Sequence, residues 1–399
     1  MIPFLDLKGK RREIKKFLRS KFLFLKLKLK ILLGYKLRVC FFVQETQKWN
    51  AQSLYDKMAK SDIFEPFMLV SPLEESNAHR NSYQHCVEFF KNRCNNVELG
   101  YNESTKSYID IKEFNPDIIF FQQPWSLYAT QNAIYSSKFA LCYYFSYAMG
   151  DSPNLAVRIS PQFHIALRKF FIFSQAESDL LLEYGYKYSN LSIIGHPKLD
   201  IYNRYKPHKN PKTLIIYAPH HSLEPNSLNY ATFPWSGKYM LEWAKSHPEF
   251  KWLFKPHPRL KVTLILQKIM TPQEVDEYYN EWVQLGECYD DGDYFDIFMN
   301  SKCLITDCGS FLTEYLPTEQ PVIHLRNPKA QHYTATNKLI MDSYYKAYDV
   351  AELEEWLDKI LIKQEDPKKS ERLDILRTLD IKTSASDKII DEIKKDLSL

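Results

Sequence analysis

The sequence predicts an α/β protein with two doubly wound domains, each a parallel sheet wrapped by helices, behind a basic N-terminal helical segment. Three observations carry this expectation. Apolar runs of four to seven residues, rich in β-branched and aromatic side chains, alternate with polar stretches of helical character. The runs are continuous rather than alternating, as suits strands buried on both faces. And 399 residues exceed what one core usually serves, given domains of roughly 100–200 residues. The expected division is a basic segment over 1–36, a first domain over 37–205 and a second over 206–399.

The chain opens on charge. Residues 1–38 hold thirteen Lys or Arg against Asp6 and Glu13, a local balance of +11 that leaves −7 on the rest of a chain with net charge +4. From Lys8 to Arg38 the sequence reads "KGKRREIKKFLRSKFLFLKLKLKILLGYKLR". Arg12, Lys15, Lys16 and Arg19 recur at helical spacing, and Phe22 to Leu33 interleave apolar side chains with Lys26, Lys28 and Lys30. No uncharged run approaches the roughly 18–20 residues that span a bilayer. Residues 8–38 are therefore expected to lie at an anionic membrane surface, apolar side chains down and lysines near phosphates. A solvated helix covering a neighbouring domain, or a nucleic-acid contact, are the alternatives. Residues 25–31 alternate with period two, which leaves the helix unsecured there.

Six strands are expected in the first domain: 37–43, 66–70, 117–121, 139–145, 169–173 and 191–195. Four are expected in the second: "TLIIYA" (213–218), "KWLFK" (251–255), "CLIT" (303–306) and "PVIHL" (321–325). Ser174 with Glu177 forms a capping-box pattern for a helix that Gly185 stops. A second helix places Met240, Trp243 and Ala244 on one face and ends at Pro248. The polar stretch 203–212 is the expected linker.

Composition excludes several classes. Glycine is scarce, at ten residues, and neither a G-x-G-x-x-G fingerprint nor a P-loop occurs. Seven cysteines make no C-x-x-C pair, and no secretory signal is evident, which reads as a reducing, cytoplasmic setting. His220 and His221 have no metal-binding companions in sequence, and "DDGD" (290–293) lacks the spaced ligands of a calcium loop. No metal and no cofactor is expected.

The chemistry gathers where the second set of strands ends. In open α/β sheets ligands bind beyond the carboxyl ends of the strands. Pro219, His220, His221 and Ser222 follow the first of these strands. Lys255 closes the second, and Pro256, His257, Pro258 and Arg259 follow it. After the third come Asp307, Cys308, Gly309 and Ser310, then a helix start with Glu314 one turn in, and after the fourth Arg326. Such a set suits a nucleoside diphosphate. Helix-terminal amides beside Gly309 and Ser310 receive phosphate oxygens. Lys255, His257 and Arg259 neutralise charge on the diphosphate, Arg326 adds another cation, and Glu314 takes ribose hydroxyls. Proline on both sides of His257 restricts its backbone and resists helical continuation.

At "YAPHHS", "FKPHPRL" and "LITDCGSFLTEYL…QPVIHLRNP" the chain resembles the CDP-glycerol glycerophosphotransferase family of teichoic-acid and capsule polymerases. "GHPKLD" (195–200) is similar to that family's G-x-P-[RK]-x-D segment, "KPHP" to its L-x-x-H-P motif, and "TDCGSFLTEY" to its T-D-Y-S-S-x-x-x-[DE]-Y motif. The resemblance covers about 110–360 and implies a GT-B fold, two Rossmann-like domains facing across a cleft, the first on the acceptor side and the second binding the nucleotide donor. It also implies that His257 holds the donor diphosphate, Ser310 and Gly309 its phosphates and Glu314 its ribose, with Asp307 shaping the loop. The family's first-domain W-H-G-T-P segment, with its basic histidine, has no counterpart in "CYYFSYAMGDSPN" (142–154). His220, His221 or Asp151 would have to supply the base.

The expected activity is transfer of glycerol phosphate, or a related polyol phosphate, from a CDP donor to a glycan or lipid-linked acceptor, on the inner face of the cell membrane. A GT-B glycosyltransferase using a nucleotide sugar, or a non-catalytic scaffold of capsule assembly, are the rival readings.

Overall fold

Strand β1 (Leu37–Val43) shows why the first sheet needs helices on both sides. Val39, Phe41 and Val43 enter one buried cluster, while Cys40 and Phe42 enter a second. Successive strand residues point to opposite faces, so a strand without polar interruptions is stable only where both faces are covered. The computed structural model describes residues 21–73, 80–147, 149, 161–183, 185, 186, 189–205, 213–224, 228–289, 294–330 and 335–399.

The next strands are β2 (Phe64–Val70) and β3 (Val97–Leu99), followed by a short antiparallel hairpin of β4 (Tyr101–Asn102) and β5 (Ser107–Tyr108). Then come β6 (Ile118–Phe121), β7 (Leu141–Phe145), β8 (Lys169–Ile172) and β9 (Leu191–Ile193). Apart from the hairpin they form one sheet, ordered β3-β2-β1-β6-β7-β8-β9, in which every pairing is parallel. An aromatic row crosses it: Phe41 stacks on Phe120 at 5.1 Å, Phe120 on Tyr143 at 5.5 Å and Tyr143 on Phe171 at 5.6 Å. Such ring pairs contribute about 0.5–1.5 kcal/mol each beyond area burial.

The second sheet comprises β10 (Leu214–Ala218), β11 (Lys251–Phe254), β12 (Glu287–Cys288), β13 (Ser301–Thr306), β14 (Val322–Leu325) and β15 (Tyr345–Ala347). Its order is β12-β11-β10-β13-β14-β15, again parallel throughout. Both sheets therefore run outward from their first strand in two directions, the dinucleotide-fold arrangement.

All ten expected strands form. The edge strands β3, β12 and β15 were not expected, because two or three residues carry no readable period. The helix Gln175–Glu183 starts at Ser174, whose Oγ accepts from the Glu177 amide at 3.3 Å, and Gly185 follows with φ +82°. Phe233–Ser246 buries Met240 and Ala244 completely, while Trp243 packs at the edge of the same core.

Two compact units result. One holds residues through Tyr147, those from 161 to Lys198, and Ser384–Leu399; the other holds Met149 and Leu199–Thr383. The division thus falls near Lys198 rather than at 205/206, and residues 206–212 of the expected linker lie outside the described residues. The C-terminal helix Ala385–Leu397, assigned by position to the second domain, belongs to the first unit. Its face of Ala385, Ile389, Ile393 and Leu397 is buried with Leu54 and Met58, and Arg168 pairs with Asp396 at 2.6 Å.

Of the basic segment, residues 21–32 are described and helical, and 1–20 lie outside the described residues. Leu23 and Leu27 are buried in the first core, while Phe22, Leu25, Leu29 and Leu32 are exposed. Lys30 pairs with Asp117 and Lys28 donates to Ser398 Oγ at 3.0 Å, so these two lysines are tied to the domain rather than left for lipid phosphates. Among the described residues no helix is long and apolar enough to cross a membrane.

Candidate active site

The order β11-β10-β13-β14 brings four carboxyl ends side by side, and the winding reverses between β10 and β13. Asp307 spans that reversal. It is fully buried, and its carboxylate accepts the His220 amide at 2.5 Å, the Thr232 amide at 2.6 Å and the Thr232 hydroxyl at 2.8 Å. Burial outweighs these donors and pushes its pKa up to about 6. With its oxygens engaged by protein donors, Asp307 frames the loop after β10.

That loop meets the loop after β11 in a cluster of imidazoles. His221 stacks on His257 with centroids 3.9 Å apart, and His220 lies 4.5 Å from His221 and 5.0 Å from His257. All three are held toward the neutral form. Burial is the main cause for each; the neighbouring histidines add to it at His220, and Arg259 opposes protonation of His221 while Glu224 favours it. His257 is brought down to about 4 by burial, then by His221, Arg259 and Lys255.

Backbone amides decide which nitrogen carries the proton. The Arg259 amide donates to His257 Nδ1 at 3.1 Å, and the Ser222 amide donates to His220 Nδ1 at 3.1 Å. Ser222 Oγ also contacts His220 Nδ1, at 2.8 Å, while accepting the Tyr230 amide. A nitrogen that accepts an N–H is unprotonated, so both neutral rings carry hydrogen on Nε2. His196 demonstrates the same turn: the Lys198 amide donates to its Nδ1 at 3.2 Å, and its Nε2 contacts the Ser146 carbonyl at 2.7 Å, which can only accept. Both H-P-[KR] steps fold this way. Proline holds the backbone between the ring and the amide two residues on, so the turn aims an Nε2–H donor out of the strand end.

The three histidines place ligand atoms within 4.8 Å of one another, a spacing a metal ion could use. Metal on Nε2 would require hydrogen on Nδ1, directed at the Ser222 and Arg259 amides. As set by these amides, His220 and His257 do not offer Nε2 to a metal.

Lys255 is buried rather than displayed, with its ammonium 4.8 Å from the Tyr294 ring centroid, 5.1 Å from Tyr289 and 5.8 Å from Phe311. Tyr294 donates its hydroxyl to the Glu314 carboxylate, itself buried in the helix Gly309–Tyr315. Gly309 is buried, and Ser310 Oγ lies 3.4 Å from Cys308 Sγ. Arg259, exposed, precedes the helix Leu260–Leu266. Arg326 lies 3.8 Å from Met341 Sδ and 6.0 Å from the Tyr348 ring centroid.

A sequence model of the CDP-glycerol:poly(glycerophosphate) glycerophosphotransferase family matches residues 172–390, more than half of the chain and all four carboxyl ends of β10, β11, β13 and β14. The chain belongs to this family. It is a glycerophosphotransferase-type transferase, as its strand-end motifs suggest. No curated protein sequence matches it. Among solved structures, MnaA of S. aureus with UDP has a TM-score of 0.56 at 13% identity, over 91% of this chain and 97% of that one. A putative UDP-N-acetylglucosamine 2-epimerase from Listeria monocytogenes gives 0.59 at 14%, over 91% and 97%. The UDP-GlcNAc 2-epimerase of Neisseria meningitidis bound to UDP-GlcNAc gives 0.57 at 13%, over 90% and 99%. At such identities the likeness establishes the fold, which is of the GT-B type.

Within this glycerophosphotransferase, folding joins His220, His221, His257 and Asp307 in one contact network, and Lys255, Tyr294, Phe311 and Glu314 in another. Asp151, the remaining candidate base, lies outside the described residues. Sequence reasoning named Ser222 at its strand end without a role, and missed Thr232 and Tyr294. Ser222 had a signal in its spacing from His220; Thr232 and Tyr294 had none, since their partners lie 75 and 20 residues away.

Proposed function

We propose that this transferase moves glycerol phosphate, or a related polyol phosphate, from a CDP-activated donor to a hydroxyl of a capsule- or teichoic-acid-type glycan or lipid-linked acceptor. The acceptor oxygen forms a bond to the β-phosphorus, the bridging P–O bond breaks, and CMP departs with the electron pair. The observation that carries this reading is the pair of Nε2–H donors, His220 and His257, at the winding reversal of the second sheet. Neutral donors fixed in advance meet phosphate oxygens without reorganising during reaction. Exposed Arg259 supplies positive charge beside them. Ser310 and Gly309 at the adjoining helix start are assigned to the phosphates, and Glu314 to the ribose side.

The exposed strip of Phe22, Leu25, Leu29 and Leu32, with Lys26 beside it, supports contact with an anionic membrane on the cytoplasmic side, where a lipid-linked acceptor would reside. Two of the three solved structures of like fold named above carry UDP or UDP-GlcNAc, and this favours a nucleotide-sugar donor as the second reading.

Calorimetry with CDP-glycerol, CDP and UDP-sugars, on the native protein and on His257→Ala, separates the readings. Binding of CDP-glycerol that the variant loses is the expected result. Preference for a UDP-sugar would transfer the proposal to sugar transfer, and absence of any nucleotide binding would refute both.

A further inference from the structure

The three imidazoles at the winding reversal are not equivalent, and their difference bears on a role the first domain leaves open. Within 142–154 there is no histidine to take the acceptor's proton. In the cluster itself, His220 and His257 each present hydrogen on Nε2 and spend the Nδ1 lone pair on a backbone amide. A neutral ring in that state has no lone pair left to accept a proton. Each can donate to a phosphate oxygen and nothing more.

His221 differs in each respect. Its Nδ1 is buried without a hydrogen-bond partner, and among the described residues its ring forms no hydrogen bond through either nitrogen. Its tautomer is therefore unset by any hydrogen bond; with Nδ1 buried, the lone pair open to a substrate is that of Nε2 when hydrogen sits on Nδ1, on the one ring wedged against both donors, 3.9 Å from His257 and 4.5 Å from His220. Resting on the glycerophosphotransfer reading, we propose that His221 is the proton acceptor of the reaction, while His220 and His257 act solely as hydrogen-bond donors to the diphosphate. The acceptor hydroxyl's proton passes to the free imidazole nitrogen of His221 as its oxygen bonds to phosphorus and CMP leaves with the electrons of the broken P–O bond.

The surroundings fit a base that is neutral at rest and charged after the step. His221 faces His220 and Glu224 on its own loop, and His257 and Arg259 on the loop after β11. In the free protein burial and Arg259 disfavour the imidazolium. A bound diphosphate reverses the local field, because an anion beside a base favours its protonated form. Neutral donors at His220 and His257 leave that anionic charge available to the proton that arrives.

Glutamine retains an N–H near the Nε2 position but does not accept a proton as imidazole does, so His→Gln changes separate the two roles. CMP release at saturating CDP-glycerol, donor affinity and the pH profile of kcat/KM are measured for the native protein, His221→Gln, His220→Gln and His257→Gln. His221→Gln is expected to lose about 10²- to 10⁴-fold in kcat, with donor affinity kept and the acid limb of the profile abolished. His257→Gln and His220→Gln are expected to change donor affinity and retain that limb. Retention of kcat and of the acid limb in His221→Gln would overturn the proposal. A second readout needs no donor. ¹⁵N-histidine correlation spectra, assigned with the same variants, report each ring's tautomer. His220 and His257 should show hydrogen on Nε2 across neutral pH, while His221 averages both tautomers and titrates. A locked Nε2–H His221 would overturn the assignment even if CDP-glycerol proved not to be the donor; failed donor binding with the expected spectra would refute only the donor reading.

Discussion

Replacing Asp307 by Asn tests the frame of the site, and its outcome runs against the usual behaviour of a carboxylate. Asp307 is fully buried and receives three donors, two of them backbone amides. Burial nonetheless raises its pKa from 3.8 to about 6. Because the folded value is the higher one, folded protein holds a proton that the unfolded chain has released between these limits. The stability contributed by this group is therefore fully present below about pH 4 and lost as pH rises through about 6. The difference corresponds to about 3 kcal/mol in total, of which about 2 kcal/mol falls between roughly pH 4.5 and 7.5. Asparagine does not titrate. It can keep an oxygen toward Thr232 but turns its NH₂ against the His220 amide, orphaning a buried donor at a cost of about 1–3 kcal/mol. Urea unfolding of both proteins at the two pH values should show the variant gaining about 2 kcal/mol relative to native on going from acid to neutral. At neutral pH the two effects nearly cancel, so the variant folds while the displaced His220 loop weakens CDP-glycerol binding. A variant that instead loses ground as pH rises would refute the reasoning, since the three donors would then outweigh burial.

Three further outcomes follow from the structure. Because His257 is held neutral, at about 4, and is proposed to meet the donor as an N–H donor, the affinity for CDP-glycerol should change by no more than about threefold between roughly pH 6 and 8 in calorimetry. A tenfold loss per pH unit would show that it binds as a cation. In the helix 21–32, Leu27→Ala removes a fully buried side chain and should lower stability by about 2–5 kcal/mol, whereas Leu29→Glu, on the exposed side, should change it by less than about 0.5 kcal/mol. Co-sedimentation with phosphatidylglycerol vesicles should fall in Leu29→Glu, and undiminished binding would remove this strip from the membrane proposal.

Local pattern determined much of this protein without tertiary information. Continuous runs such as Leu37–Val43 are stable only where both faces are covered, so parallel sheets under helices follow from the sequence, and with them the strand ends that carry His220, His257 and Asp307. The capping pattern at Ser174 and the stop at Gly185 are equally local, since both partners lie within a turn or two of chain. Other features depended on partners that periodicity does not encode. The apolar face of Ala385–Leu397 is readable as a helix face, but nothing in it tells which core receives it, and it packs with Leu54 and Met58 some 330 residues earlier. Lys255 reads from sequence as an open cation at a strand end, and only folding shows that it is enclosed among Tyr289, Tyr294 and Phe311. The histidines show the division most sharply. Sequence places three imidazoles at adjoining strand ends; only the turns, by aiming the Ser222 and Arg259 amides at two Nδ1 atoms and none at the third, decide which donate and which can accept. A hydrogen bond depends on direction within a few tenths of an ångström, and that precision comes from the packed backbone rather than from residue order.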